Sequence, residues 1–380
     1  MKKLTFLERN EVVFNRYSHL IDSKMGNMDQ DRMAVLMENT TQFFTENHKT
    51  LNGATYDEIK KLVEGNTNTN ADVTAFVKIQ LPMISKVFPN MITKDLVSVQ
   101  PMSQPAQKIF YQDIVRDDDS SLSTAIHSQR NYANNVEYDP DSPTAIKNIK
   151  YKITSADMST TEKKLKYSHT IEVAQDVMRY HGVDIASTLT GAMAAEIVRE
   201  WDRTLLQAMI DGATGGSKTF DLTIPAGISY TDKKVWAEGL YEAMIDVDTQ
   251  IFIKRYRKTN WCVVSANIAA FIEKMQGFRS SALGDAAKIV AQGGRYEMGT
   301  LDNRWKIYVD PFMTNQVLMG YNNPGDWTDT SVIWAPYILS YLTGIFENPD
   351  TQTMTRSILS RAGYRVVVGD LLGVVNCSGS

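Results

Sequence analysis

The residues of this sequence best suited to chemistry are scattered. Its five histidines are His19, His48, His127, His169 and His181, and its two cysteines are Cys262 and Cys377. No two histidines sit four residues apart, and no His-Glu-x-x-His run occurs, so no metal-ligand spacing exists. Thr214-Gly215-Gly216-Ser217-Lys218-Thr219 has the look of a phosphate loop. A phosphate loop needs glycine immediately before the lysine and a strand before the loop. Here Ser217 precedes Lys218 and a helical pattern precedes the turn, so a plain inter-element turn is expected. Asp117-Asp118-Asp119 lacks the alternating ligand spacing of a calcium loop and reads as a solvated acidic loop. Cys262 lies in the apolar run Trp261-Cys262-Val263-Val264 and reads as a buried, inert thiol. No Gly-x-Ser-x-Gly elbow and no recognisable pair of catalytic carboxylates appears. No cofactor, no metal and no catalytic residue is expected. An enzyme with a cryptic site stands as the alternative from a different class.

The elements that such residues would need are those of a folded protein. The chain has 380 residues, 43% of them hydrophobic and 22% charged, with a formal net charge of -4. That is enough sequence for two or three sub-domains of ordinary size. No apolar run approaches the ~18–20 residues needed to span a bilayer. Met1-Lys2-Lys3 begins like a signal peptide, but Glu8, Arg9 and Glu11 break any apolar stretch, so secretion is not expected. Two distant cysteines fit a reducing compartment rather than a disulfide scaffold. Lysine and arginine are spread among acids with no basic stripe, so neither tight nor sequence-specific nucleic-acid binding is expected.

Along the chain, residues 1–64 read as short helices between polar loops, with Asp29-Gln30-Asp31 as a cap for a helix carrying Met33, Leu36, Met37 and Phe43. A second helix runs from Tyr56 to Val63. Gly65 to Asn70 is turn-prone and reads as a linker. Residues 71–90 are apolar at helical spacing up to the break at Pro82, and 91–112 read as extended. Ile146–Ile153 and Leu165–Val173 read as two strands of a projecting β-arm; in the first, Ile149, Tyr151 and Ile153 alternate with Lys150 and Lys152. Asp184 is a good N-cap. Behind it Ile185, Leu189, Met193, Ile197, Trp201, Leu205 and Met209 recur every fourth residue, with Ala192, Ala194, Val198 and Ala208 beside them. Gly212 sits where a helix ends. About 27 residues at ~1.5 Å each make a rod of roughly 40 Å. A glycine-rich turn (212–216), a helix near Lys233–Ile253, a strand at Asn260–Val264 and a helix at Asn267–Met275 follow. Trp305–Val309, Val332–Trp334 and Arg365–Val368 read as strands. The pattern is α+β with mostly antiparallel strands.

Four segments carry a resemblance. They are Leu81–Asn90 with Val99–Met102 and Ile109-Phe110; Glu172–Asp176 and His181–Asp184 leading into the long helix; Gly299–Pro311; and Ala335-Pro336-Tyr337. In this order, over roughly residues 75–340, they resemble the major capsid proteins of large contractile-tailed bacteriophages. The resemblance implies the shell fold shared by tailed phages, herpesvirus capsid floors and encapsulins. In that fold 1–70 is an N-terminal arm and 71–112 the first part of a peripheral domain. Residues 113–168 form the extended β-arm, 169–212 the spine helix, 213–340 an axial domain and 341–380 a return to the core. Larger relatives carry an inserted domain in the arm; only about fifty residues lie between Asp113 and the second arm strand here, so none is expected.

The function implied is self-assembly into hexamers, and into pentamers at vertices, of an icosahedral virion shell around phage DNA, built in the host cytoplasm. Scaffold, portal and decoration proteins are the further partners implied; membranes are not. A weakly acidic inner wall would let packaged DNA slide. A vertex-only paralogue and an encapsulin-like shell protein share the fold and stay as alternatives. Lys163, Lys164 and Lys166 on one side and Asp117, Asp118, Asp119, Asp139 and Asp141 on the other either pair between subunits, setting register more than affinity, or are solvated. Related phages trim this protein after an aliphatic residue, any residue, then Glu. Leu62-Val63-Glu64 before Gly65 fits, but so do less accessible sites, and a retained N-terminal arm is the preferred expectation.

Overall fold

The computed structural model describes residues 13–21, 27–48, 91–116, 149–223, 230–275, 277–280, 295–323, 329–348 and 350–379. Helix α1 (Asn27–His48) follows a 3-10 turn at Ser18–Leu20. It starts before the expected cap: Asp29 lies in its first turn and pairs with Arg32 at 3.1 Å. A carboxylate there is favoured by the helix dipole. Met33, Leu36 and Met37 are buried as the spacing predicts, and Phe43 meets the Tyr341 ring edge-on. The Asn39 side-chain amide donates to the carbonyls of Met102 and Tyr337, at 2.6 and 3.1 Å. Residues 91–112 are not uniformly extended. Thr93–Leu96 is a helical turn (α2), followed by β1 (Ser98–Val99) and β2 (Ala106–Arg116). The expected helices at 56–63 and 71–90 and the linker at 65–70 lie outside the described residues.

The arm reading needs correction. Strand β3 (Ile149–Ser159) pairs antiparallel with β2 along all eleven residues, from Ala106↔Ser159 to Arg116↔Ile149. The run read as a second arm strand is instead β4 (Thr161–Thr170), which pairs with β13 (Thr353–Val366). Its inward positions explain why. Tyr167 is buried and Leu165 packs on the main core, so this strand belongs to the body. The run also ends earlier than expected, because Thr170 caps helix α3 (Ile171–His181), its side chain accepting from the Val173 amide. Gly182 closes α3 in the left-handed conformation, φ 66°, which glycine adopts without steric cost.

Helix α4 (Ile185–Asp211) is the predicted rod. Asp184 accepts from the Ala186 amide at 3.0 Å and Gly212 is the C-cap. Met193, Ile197, Trp201, Leu205 and Met209 are buried, Leu189 partly so. Ala192 is exposed, unlike its neighbours Ala194 and Val198. The stripe packs with α1, β4, β13 and β11 (Val332–Leu342) into one core. There β1, β11, β13, β12 (Phe346–Asn348) and β4 form a five-stranded sheet. Strand β11 runs eight residues past its predicted end, and its register shifts on either side of Ile338. Bulges let a long strand accept Pro336.

The second sheet has seven strands in the order β5 (Gly216–Asp221), β14 (Leu372–Ser378), β10 (Gln316–Gly320), β6 (Trp261–Ser265), β9 (Trp305–Asp310), β8 (Tyr296–Leu301) and β7 (Phe278–Ser280). Residues of β6 alternate between two cores. Trp261 and Val263 join the α4 core; Cys262 and Val264 face a second core with α5 (Tyr230–Arg255) and α6 (Ala266–Ile272). A sheet buried on both faces reads as a continuous apolar run, as Trp261–Val264 does. Among the described residues, no helix is long and apolar enough to cross a membrane.

Candidate assembly surface

The β2–β3 ribbon is anchored at the end where Ala106 faces Ser159. Ile109 and Met158 are buried there with Met102, Ile333 and Ala335. Further out, Ile153 is 61% exposed. Cross-strand Lys108 and Asp157 stand 3.9 Å apart in solvent. A two-stranded ribbon is marginal in water by itself, so an apolar residue presented midway along it, at the Gln112↔Ile153 pair, suits a partner surface.

Helix α3 has no buried residue. On its helical wheel, Glu172, Gln175, Asp176 and Arg179 share one side and the apolar residues the other. Ile171, Ala174 and Val177 are half-buried, while Val173, Met178 and Tyr180 stay exposed, Tyr180 at 82%. The turn into β12 exposes Ile345 and Phe346. Phe346 faces Thr355, which faces Ser168, two residues before the cap of α3. Apolar side chains are thus left uncovered at one end of the five-stranded sheet. Sequence reading missed this feature by fusing α3 to the preceding strand; Gly182, closing the eleven-residue helix that follows the Thr170 cap, was the available signal.

The three lysines proposed for contacts between copies lie on two faces of β4. Lys163 points inward and donates to the Glu200 carbonyl at 2.8 Å and to Thr204 Oγ1 at 2.6 Å, with the Glu200 carboxylate 3.7 Å away. Burial pulls its ammonium below the ordinary lysine value, partly offset by Glu200. Lys164 points outward and pairs with Glu162 at 2.6 Å. Glu162 also takes Arg361 at 3.1 Å, and the Lys164 hydrogen bond, with Arg361 beside it, holds its carboxyl below the usual range. Lys166 is exposed and has no ion-pair partner among the described residues. Asp117, Asp118, Asp119, Asp139, Asp141, Glu64 and Gly65 lie outside the described residues.

The chemistry-bearing residues do not converge. Among the described residues no group of three or more His, Cys, Asp or Glu could hold a metal. The phosphate-loop lookalike is a tight turn entering β5. Its Thr214 and Gly215 amides donate to the carbonyls of Gly369 and Leu372, at 3.0 and 2.9 Å. A Cβ at Gly215 would collide with the carbonyl oxygens of Asp370 and Leu372. The amides that would cradle a phosphate are therefore spent, and Lys218 pairs with Asp246 at 2.8 Å. Gly216 belongs to a strand, not to the turn predicted for 212–216. Cys262 is buried and free, and burial pushes its thiol far up. A cleft of about 840 Å³ opens between α1, α2 and the seven-stranded sheet, but two of its cations, Arg32 and Arg304, are held by Asp29 and Asp248.

The model of the family described as Major capsid protein Gp23 matches residues 73–137 and 115–374. The major capsid protein of Enterobacteria phage T4 is 24% identical over 213 residues, covering 50% of this chain and 39% of that protein. That of Enterobacteria phage T6 is 24% identical over 211 residues, covering 50% and 40%. The chain thus spans well under half the length of these two relatives. The major capsid protein of Serratia phage KSP90 is 21% identical over 328 residues, covering 72% of this chain and 74% of that protein. Two solved structures align as well. The capsid of Myoviridae phage XM1 has a TM-score of 0.46 and 11% identity, over 74% of this chain and 90% of that one. A chain from Mycobacterium phage Bobi has a TM-score of 0.48 and 10% identity, over 78% and 91%.

Proposed function

This chain belongs to the major capsid protein Gp23 family, and we propose that it is a shell subunit whose copies assemble into hexamers and vertex pentamers. These close an icosahedral virion shell around phage DNA, assembled in the host cytoplasm with scaffold, portal and decoration proteins as partners. In this reading the β2–β3 ribbon is the extended arm. Helix α4 is the peripheral spine, and the seven-stranded sheet with α5 and α6 is the axial part.

The observation that carries the proposal is the apolar flank of α3, left uncovered beside the equally uncovered Ile345 and Phe346. An eleven-residue helix is marginal alone, and its exposed apolar side chains gain most when a second copy removes them from water. Many such modest contacts repeated over a lattice make a closed shell stable collectively. Lys166, exposed on the outward face of β4, is the lysine this reading assigns to register between copies; Lys163 and Lys164 are engaged within their own chain.

The test is electron microscopy and sedimentation of the expressed chain, with and without scaffold, beside a variant carrying Met178→Asp and Tyr180→Asp. The parent is expected to form capsomers or shells, and the variant to keep its circular dichroism while losing them. A parent that stays monomeric at high concentration, across salt and with scaffold present, refutes the reading.

A further inference from the structure

Where α4 meets the seven-stranded sheet, three charged groups are buried together. Arg295 is 1% exposed, Asp202 fully buried and Asp310 nearly so. Arg295 Nη1 lies 3.6 Å from Asp202 Oδ2, and its Nε 3.2 Å from Asp310 Oδ2. Neither nitrogen makes a directed hydrogen bond. Nη2 donates to the Arg199 carbonyl at 3.5 Å, and the guanidinium carbon sits 5.8 Å from the centre of the Phe312 ring. From α2, the Thr93 hydroxyl and amide donate to Asp202 Oδ1 at 2.6 and 3.3 Å. Oδ2 of Asp202 accepts no hydrogen bond. The other ionised group nearby on α4, the Arg199 guanidinium, is drawn off to Glu196 at 3.2 Å.

The charges do not balance. Two carboxylates share one guanidinium with water excluded, which leaves one negative charge uncompensated in a medium that penalises it. One proton neutralises the cluster, and the unbonded Oδ2 is the atom free to take it. We infer that the Asp202–Arg295–Asp310 cluster is a proton-operated latch between α4 and the seven-stranded sheet. With Asp202 ionised, Arg295 is shared between two carboxylates and pins α4 to β9. With Asp202 protonated, Arg295 pairs with Asp310 alone, the α4 side is released, and α4 keeps its tie to α2 through Thr93. The two cores can then shift against each other with the chain folded.

Burial raises the Asp202 carboxyl to about 6, with Arg295 and Thr93 pulling it down. A carboxyl raised in the folded state binds its proton more tightly there than in the unfolded chain. The stability it contributes is fully present below about pH 4 and is lost as pH rises through about 6. Acidification between these values therefore opens the latch without favouring unfolding. This holds for a single subunit and does not depend on the shell reading.

Infrared difference spectroscopy of the full chain, together with hydrogen exchange, tests it. A protonated-carboxyl band should grow as pH falls from 7.5 to 5, with a midpoint near 6, and Asp202→Asn should lack it. Over the same interval, amides of α4 around Asp202 and of β9 should lose protection in the parent and be pH-independent in Asp202→Asn. Should that variant not fold, Thr93→Val decides. It removes a donor to the ionised form, so the band's midpoint must move upward. A parent with no such band, a band that survives Asp202→Asn, a midpoint unmoved in Thr93→Val, or junction protection flat through the midpoint overturns the latch.

Discussion

Lys163 Nζ lies 4.8 Å from the centre of the Trp201 ring while the indole nitrogen of that ring donates to Ser360 Oγ at 2.8 Å. Strand β4, helix α4 and strand β13 are thereby joined through three side chains. A lysine over an indole is worth about 0.5–2 kcal/mol, and reversing its charge sets a carboxylate against Glu200. Lys163→Glu should cost about 1–3 kcal/mol, whereas Lys166→Glu should fall within about 0.5 kcal/mol of the parent. Urea unfolding of the two variants checks the contrast; equal midpoints would return Lys163 to the solvated face.

Trp201 itself fills the centre of the main core with no exposed surface. Trp201→Ala should cost about 3–5 kcal/mol and reduce soluble yield. Trp201→Phe retains an aromatic ring but removes the indole donor, leaving the Ser360 hydroxyl only its 3.4 Å bond to the Ile338 carbonyl, for roughly 1–3 kcal/mol. Thermal melts in which the two variants cost the same would place the weight on the hydrogen bond, which both lose, and not on the ring.

Helix α4 was legible because its information is local: a stripe every fourth residue between an Asp184 cap and Gly212. The ribbon was legible only in half. The alternation at Ile149–Ile153 marks a strand, but its partner Ala106–Arg116 lies more than thirty residues upstream, and no local pattern ranks that pairing above one with the nearer Leu165 run. Strand β5 was hidden because Gly216-Ser217-Lys218-Thr219 has the composition of a loop. Its parallel pairing with β14, from Gly216↔Gly373 to Asp221↔Ser378, makes it a strand. The turn between β8 and β9 did carry a usable signal. Asp302 and Asn303, at φ 49° and 56°, are residue types that tolerate a tight hairpin turn. The direction of Lys163 was not legible, since it depends on which face of β4 meets α4.

The two thiols should differ in accessibility more than in chemistry. Burial raises the Cys377 thiol to about 11 and pushes the Cys262 thiol further. At pH 8 only about one Cys377 in a thousand is thiolate, so alkylation should be slow and quicken roughly tenfold per pH unit toward 10. Cys262 should label only when the chain unfolds. Mass spectrometry after timed alkylation, with and without denaturant, checks both, and native labelling of Cys262 at the Cys377 rate would contradict its burial.

The ribbon offers the cleanest separation of folding from assembly. Ile153, midway along it, is 61% exposed, while Ile109 and Met158 at its root are buried. An aspartate at 153 removes an apolar contact that the chain's own body does not make, so subunit stability should change by no more than about 1 kcal/mol. An aspartate at 109 buries an unpaired charge and should unfold the root. Ile153→Asp is therefore expected to melt like the parent and to yield few particles, with the deficit persisting at high salt because the lost contact is apolar. Ile109→Asp is expected to lose both fold and particles. Particle counts by electron microscopy beside melts of the same preparations decide the matter. Parental particle yield from Ile153→Asp would mean that this part of the ribbon touches no neighbour.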